Sequence, residues 1–393
     1  MTRRMRPRAG VVGLAAVALT ATAFAGPAQA ARGTAPTAAD HQATQRAIDA
    51  AVAAGIPGIT VEARDADGIW KSASGVGNRQ TGAPRGKNDR FRIGSITDTF
   101  VATVLLQMEA EKKLSLDDPV ERWLPGVVTG NGNDGSKITV RQLLNHTSGL
   151  FDYLADETFY RTYTLGDGFL QHRYDTLTPE QRLKVAFSHA PHFQPGARHW
   201  FSHTNDVLAA LIVEKVAGRS YENEVRERII EPLGLRATSN AGTSTTVPRP
   251  SSRGYSKLFF DSQPDRIDDV TEFNASQMWG DGDMISSAGD LDRFFRALMG
   301  GKLLPAQELA ELKTTVVNPD LPISSYGLGV ERLALPCGTT VWYHDGGTVG
   351  SLSVAAFSED GRHELTFNFN GDWDVSGLVP ILSAEFCDTP SEQ

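Results

Sequence analysis

Apolar and polar residues change their spacing three times along this chain, and the changes mark its organisation. "HQATQRAIDAAVAAGI" (41–56) places Ala47, Ile48, Ala51 and Val52 on one side of a predicted helix. "GITVEARDADGIWKSASGVGN" (58–78) alternates apolar with polar residues around Asp67-Gly68, the pattern of a hairpin. "FRIGSITDTFVATVLLQM" (91–108) then puts a small polar Ser95, preceded by Gly94, in front of a run with helical spacing. From about 115 to 282 the pattern predicts helices broken by Pro- and Gly-rich loops such as "FQPGARHW" and "EPLGLRATS". The last part returns to strands, in "TVWYHDGGTVGSLSVAAF", the turn at 359–361 and "HELTFNFNG". Strands early, helices in the middle and strands late predict one sheet assembled from both ends of the chain, with a helical insertion beside it. The expected α/β domain takes 45–114 and 283–388, and a mainly helical domain takes 115–282. A site is expected in the cleft between them.

Outside this pattern lie the first thirty residues, where four arginines without an acid precede an apolar run from Val11 to Ala25 and "AQA". They read as a signal peptide, with Arg3-Arg4 a weak hint of twin-arginine export. Residues 31–44 read as a flexible leader. The expected location is therefore secreted, with no membrane-spanning run elsewhere. Loss of the signal peptide takes the formal net charge from −9 to −13, and an acidic surface without a basic stripe argues against nucleic acid or anionic membrane as partner. The two cysteines, Cys337 and Cys387, form an even pair that an exported protein is expected to join, two free buried thiols being the alternative.

The motifs "FRIGSIT", "LDDPVERWLPG", "ITVRQLLNHTSGL", "SHTNDVLAALIVEKVAG", "ISSAGDLDRFFRALMGG", "YGLGV" and "HDGG" occur in an order that resembles the serine penicillin-recognising enzymes. These are the soluble D-alanyl-D-alanine carboxypeptidases, class C β-lactamases and related esterases. The resemblance spans about 45–388. It implies a serine β-lactamase/penicillin-binding-protein-like fold, α/β plus all-α, with an antiparallel sheet flanked by helices and a helical second domain. It also supports a Cys337–Cys387 bridge. It implies an acyl-enzyme at the serine of S-x-x-K, proton transfer by that lysine and the tyrosine of Y-x-N, and a strand motif H-x-G or K-T-G lining the pocket.

Ser95 matches the nucleophile, His344 and Gly346 the strand motif, and Gly347 the second oxyanion donor beside the Ser95 N–H. The remaining positions depart. Asp98 stands for the lysine, and Phe201-Ser202-His203 stands for Y-x-N. Glu331, followed by Arg332, stands where a basic residue would hold a substrate carboxylate, and Glu331 is expected to repel one. Trp279 lies one residue off the family's pocket tryptophan. Tyr153 and Tyr163 are candidates for the missing hydroxyl, and Ser202 is another. The altered positions suggest a rewired relay in which His203 is the base and Asp98 its orienter. His344 is expected to line the pocket and assist the leaving group, and Asp345, on the opposite strand face, is not expected to orient it. His146 reads as a turn residue.

The expected activity is hydrolysis or transfer of an amide or ester acyl group without a cofactor. The acyl donor would be a peptidoglycan peptide, a β-lactam or a secreted natural product. Two other classes remain open. One is an inactive member that binds a peptide or natural product. The other is a non-hydrolytic enzyme, cyclising, eliminating or using a metal on Asp98, His203 and His344, with His189, His192 and His199 nearby in sequence.

Overall fold

The computed structural model describes residues 41–259, 263 and 265–387. The signal peptide expected at 1–30 and residues 31–40 of the leader expected at 31–44 lie outside them, but 42–44 are not a flexible leader: they are helical, with Thr44 buried. The first helix, α1 (Gln42–Ala53), leads into a hairpin of β1 (Gly58–Asp65) and β2 (Gly68–Asn78), whose strands pair antiparallel from Gly58↔Gly75 to Asp65↔Gly68. The Asp65 carboxylate accepts from the Asp67 and Gly68 amides and closes the turn at the expected Asp-Gly. A two-residue strand, β3 (Phe91–Arg92), runs into Gly94, Ser95 and α2 (Ile96–Ala110).

Helices fill the middle of the chain, including α3 (His203–Ala217). The chain then returns through α4 (Ala288–Met299) to the strands β4 (Ser324–Tyr326), β5 (Glu331–Ala334), β6 (Thr340–Thr348), β7 (Ser351–Ser358) and β8 (Glu364–Phe369), ending in α5 (Leu378–Phe386). The main sheet is antiparallel and nine-stranded, with central order β4-β5-β6-β7-β8-β1-β2. Strands from the two ends of the sequence meet where β8 pairs with β1, Phe369 opposite Ile59.

Period-two alternation decides which side chains face which helices. Ile59, Val61, Val341, Tyr343, Val354 and Phe367 share a core with Ile48 of α1 and Ile381 of α5. Trp342, Ala355 and Phe357 point the other way, into a core with Phe100 of α2 and Phe294 and Phe295 of α4. His344 and Gly346, two and four residues beyond Trp342, therefore fall on the face that meets α2. The same core continues through Val207, Leu208 and Ile212 of α3, so α2 is packed between sheet and helical insertion. The Cys337–Cys387 disulfide joins the β5–β6 turn to the end of α5.

Candidate active site

The junction of β3, α2 and β6 is built on glycine. Gly94 has φ +53°, and a Cβ there would stand 2.7 Å from the Gly347 amide nitrogen. A Cβ on Gly346 would stand 2.0 Å from the Ile93 carbonyl and 2.8 Å from the Ser95 nitrogen. The backbone carrying Ser95 and the backbone of Gly346-Gly347 are thus in direct contact, with no room for a side chain between them. Ser95 is the N-cap of α2 and half-buried, and its hydroxyl caps nothing. Among the described residues neither its hydroxyl nor its N–H has a hydrogen-bond partner. Beside it β6 runs past its neighbour. β5 pairs only with Thr340–Tyr343, leaving 344–348 as an open strand edge. The structure therefore brings together Ser95, Gly346 and Gly347, as the sequence predicts.

One turn into α2, Asp98 is 3% exposed, and neither carboxylate oxygen has a hydrogen-bond partner. Among the described residues it converges with His146 and Asp206, one donor atom of each lying within 4.8 Å of the others. Burial, then Asp206 and Asp281, push the Asp98 carboxyl well above the ordinary carboxylate range. Burial likewise raises Asp206, with Asp281 and Asp152 adding to the shift against the opposing His203. The two neighbouring carboxyls therefore resist ionising together.

The tautomer of His146 follows from its other nitrogen. Nδ1 receives the Ser202 backbone N–H at 3.2 Å and the Asn205 amide at 3.0 Å. Asn205 is fixed in that orientation because its Oδ1 accepts from Ser148, whose oxygen in turn accepts the Leu150 N–H. Nδ1 is thus an acceptor, and the proton of the neutral ring sits on Nε2. Nε2 lies 3.7 Å from Asp206 and has no hydrogen-bond partner. A metal on Nε2 would need Nδ1 to donate, into two donors. The convergent trio suits a proton rather than a cation. The metal set expected from the sequence, Asp98 with His203 and His344, does not converge among the described residues.

His203 stands elsewhere in the network. Its Nδ1 pairs with Asp152 at 3.1 Å, not with Asp98, so the expected Asp98–His203 contact is replaced. Burial works against the imidazolium, but Asp152, Asp281 and Asp206 outweigh it and hold the pKa up at about 9. In this state His203 is a cation at neutral pH and has no lone pair to act as a base, contrary to the expected role. The substitution that reads as a new base is electrostatically a new positive charge.

His344 is the opposite case. Its Nδ1 donates to the Asp345 carbonyl at 2.6 Å, leaving Nε2 to accept the Tyr326 hydroxyl at 2.9 Å. Burial lowers its pKa to about 4, so the ring is neutral. Tyr326, from the quoted "YGLGV", is a residue the sequence reading missed. Burial, then the nearby Asp98 and Asp206 charges, raise its hydroxyl well above the ordinary tyrosine value. Phe201 stacks on His146 at 4.2 Å, and the Ser202 hydroxyl is buried without a partner.

The other candidates are tied into the framework. Tyr153 is buried and donates to Asp281, which Arg182 also engages, so it is an internal strut and not a surface of the cleft. Tyr163 packs against Phe159 and His172. Trp279 donates to Glu222 at 2.8 Å. Glu331 accepts from Ser324 and Tyr343, and burial with the neighbouring Asp345 lifts it to about 8. It is therefore largely uncharged at neutral pH and is not the repelling carboxylate expected. Arg332 is exposed and leans toward Glu359, 3.8 Å away. His189 pairs with Asp156, His192 stacks on Phe151, and His199 stays neutral through burial, at about 4.

Comparison with known proteins agrees with this fold. The family model described as Beta-lactamase matches residues 44–372. A crystal structure of a D-stereospecific amidohydrolase from Streptomyces sp. is 50% identical, covering 89% of this chain and 100% of that one with a TM-score of 0.84. The D-amino acid amidase of Ochrobactrum anthropi, in complex with L-phenylalanine amide, is 26% identical with a TM-score of 0.75, over 88% and 98% of the two chains. Esterase EstB of Burkholderia gladioli is 30% identical over 53% of this chain. The chain spans 51% of that esterase and 62% of the penicillin-binding protein PbpX of Bacillus subtilis.

Proposed function

We propose, from the premise that this chain belongs to the β-lactamase family, that it is a serine hydrolase forming an acyl-enzyme at Ser95 on an amide or ester. One observation carries the reading: the Ser95 amide stands against the Gly346-Gly347 edge of β6. On this reading the Ser95 and Gly347 N–H groups are the two backbone donors for the oxygen of the tetrahedral intermediate. D-Stereospecific relatives point to a D-aminoacyl amide or ester as the acyl donor. A cell-wall peptide, a β-lactam or a secreted natural product are the natural sources we propose. The leader and the disulfide support a site of action outside the cell.

Asp98 replaces the lysine as proton acceptor. An aspartate at its ordinary pKa is a poor base for serine, but the raised value of Asp98 brings it toward the range in which a carboxylate works. The Ser95 hydroxyl attacks the acyl carbon as its proton passes to Asp98. The tetrahedral oxygen is held by the two N–H groups. The same proton then goes to the departing amine or alcohol, and water repeats the sequence to release the acid. Asp206, which converges on Asp98 together with His146, helps burial keep the Asp98 carboxyl raised. The His203 imidazolium, fixed by Asp152, supplies the positive charge that lysine would bring. His344 takes no part in proton transfer and holds the Tyr326 hydroxyl.

A second reading, a binding protein without turnover, is favoured by the lack of any hydrogen bond on the Ser95 hydroxyl or the Asp98 oxygens. Intact-mass analysis after a fluorophosphonate, a penicillin and a D-phenylalanine ester separates the two. A Ser95-dependent adduct, absent in Ser95→Ala, is expected. No adduct with any of the three would leave the binding reading.

A further inference from the structure

The Asp98–Asp206 pair has donors on one side only. Both Asp98 oxygens are buried without a hydrogen-bond partner among the described residues. Asp206 instead faces two imidazoles. Its Oδ1 lies 3.7 Å from His146 Nε2, and the His203 imidazolium, held by Asp152, opposes the upward push of burial on its carboxyl. The other titratable groups around the pair do not favour a charge on Asp98. Asp281, from the loop after Trp279, raises both carboxyls. Tyr326 of β4 donates to His344, and burial keeps His199 and His344 neutral.

His146 is built to keep its face toward Asp206. Its fully buried ring is held between Phe201, stacked at 4.2 Å, and Tyr326, nearly perpendicular at 4.8 Å. The Ser202 N–H and the Asn205 amide both donate to Nδ1, which leaves the ring proton on Nε2. Burial, then His199, His203 and His344, push its pKa well below the ordinary histidine value, so the ring stays a neutral donor. Its backbone has φ +53°, a conformation that glycine adopts freely, so the turn alone does not call for an imidazole.

We propose that His146 is a positioning residue for the reaction at Ser95: its Nε2–H fixes the first negative charge of the pair on Asp206, so that Asp98 is the last to ionise and the stronger base. This rests on the reading of Asp98 as acceptor of the Ser95 proton. A separation of 3.7 Å is too long for a hydrogen bond, and a charge on Asp206 supplies the attraction that closes it. That charge in turn disfavours a second one on Asp98. Without the Nε2–H the first charge shifts toward Asp98, which then ionises at lower pH and is a weaker base.

The test follows the rate of fluorophosphonate labelling of Ser95 from pH 4 to pH 9 on the full chain. Asparagine at 146 puts its Oδ1 where imidazole carries Nδ1 and has no atom at Nε2, whereas glutamine brings an amide N–H to the Nε2 position. His146→Asn should move the acid limb of the profile down by about 1 pH unit or more, and His146→Gln should leave it in place. In an Asp206→Asn background, His146→Asn should produce no further shift. Equal behaviour of the two His146 variants, or a shift that persists without Asp206, would overturn the proposal while leaving Asp98 as the base. An unaltered protein that labels without an acid limb, or not at all, would remove Asp98 as acceptor and the proposal with it. If His146→Asn does not fold, the tautomer decides. Proton–nitrogen correlation spectra of the ¹⁵N-histidine-labelled protein should show His146 protonated on Nε2 and bare on Nδ1 across this range, and a ring protonated on Nδ1 would overturn the assignment.

Discussion

Asp98→Asn separates the two roles of the most unusual residue in the site, because the reading requires activity and stability to move in opposite directions. If Asp98 takes the Ser95 proton, an amide in its place removes the general base, a loss of roughly 10²–10⁴ in rate. That corresponds to about 3–5 kcal/mol of transition-state stabilisation. Stability should rise. The Asp98 carboxylate is buried with both oxygens unmatched and faces Asp206, whereas an asparagine amide can donate to that neighbour. Relief of an unmatched buried group is worth roughly 1–3 kcal/mol. In a chain of this size, Tm should gain about 2 °C per kcal/mol.

The pH dependence gives a further check. A carboxyl whose pKa is raised by folding binds a proton that the unfolded chain has already released. Its favourable contribution is therefore present at low pH and lost as pH climbs from the ordinary carboxylate range through the raised value. The Tm advantage of Asp98→Asn should accordingly widen from pH 4 to pH 8. Acylation is read by intact mass as the rate of fluorophosphonate labelling of Ser95, and stability by thermal unfolding over the same pH range. Labelling within threefold of the unaltered protein would show that Asp98 is not the proton acceptor. A fall in Tm would refute the picture of an unmatched carboxylate.

Four other outcomes follow from the same geometry. Gly346→Ala forces a methyl to within 2.0 Å of the Ile93 carbonyl, so it should cost roughly 1–3 kcal/mol or more and reduce Ser95 labelling at least about 100-fold, checked by urea melts and mass. Tyr326→Phe leaves the buried His344 Nε2 without its donor and should cost roughly 1–3 kcal/mol in the same melts. Reducing Cys337–Cys387 opens a loop of 50 residues, which the chain-entropy account puts at about 4 kcal/mol and which calorimetry with and without reductant measures. Asp152→Asn should lower the His203 pKa from about 9. Because that pKa is raised, the lost stabilisation is fully present below the ordinary histidine value, near 6.5, and fades as pH rises through 9, so the two melting curves should converge at alkaline pH.

Local spacing and turn chemistry reveal most of the fold. The alternation around Asp67-Gly68 and the apolar run after Ser95 determine the hairpin and α2 because each is a short-range pattern with one compatible backbone. The motifs reach the glycine junction too, since Gly94, Gly346 and Gly347 exist to admit backbone contact. The charge network is a different matter. Residue type announces that Asp98 and His203 are altered, but partner choice depends on side-chain direction across elements far apart in sequence. Asp152 claims His203 from 51 residues away. His146 reads as a turn residue and does have φ +53°, yet its buried face meets Asp98 and Asp206. Tyr326 sits inside a quoted motif. Its hydrogen bond to His344 requires β4 and β6 to be aligned through β5, which no single-strand pattern specifies.

The two altered positions also explain each other. In the resembling enzymes the cation sits on α2, and a neutral asparagine faces it from the start of α3. Here α2 carries a carboxylate and α3 a histidine. An aspartate at 98 alone would add a negative charge to a buried cluster that already holds Asp206 and Asp281, with Arg182 committed to Asp281. A histidine at 203 adds a charge of the opposite sign to that cluster, and Asp152 keeps it protonated. The exchange therefore preserves a cation in the site while moving it from the helix that bears the nucleophile to the helix opposite. What changes is which group beside Ser95 can take a proton. A lysine must lose its charge to act as a base, whereas Asp98 must gain one, so the activity of this site should switch on with rising pH through the raised Asp98 value. On the proposed reading, the burial that makes Asp98 costly to the fold is also what raises its basicity.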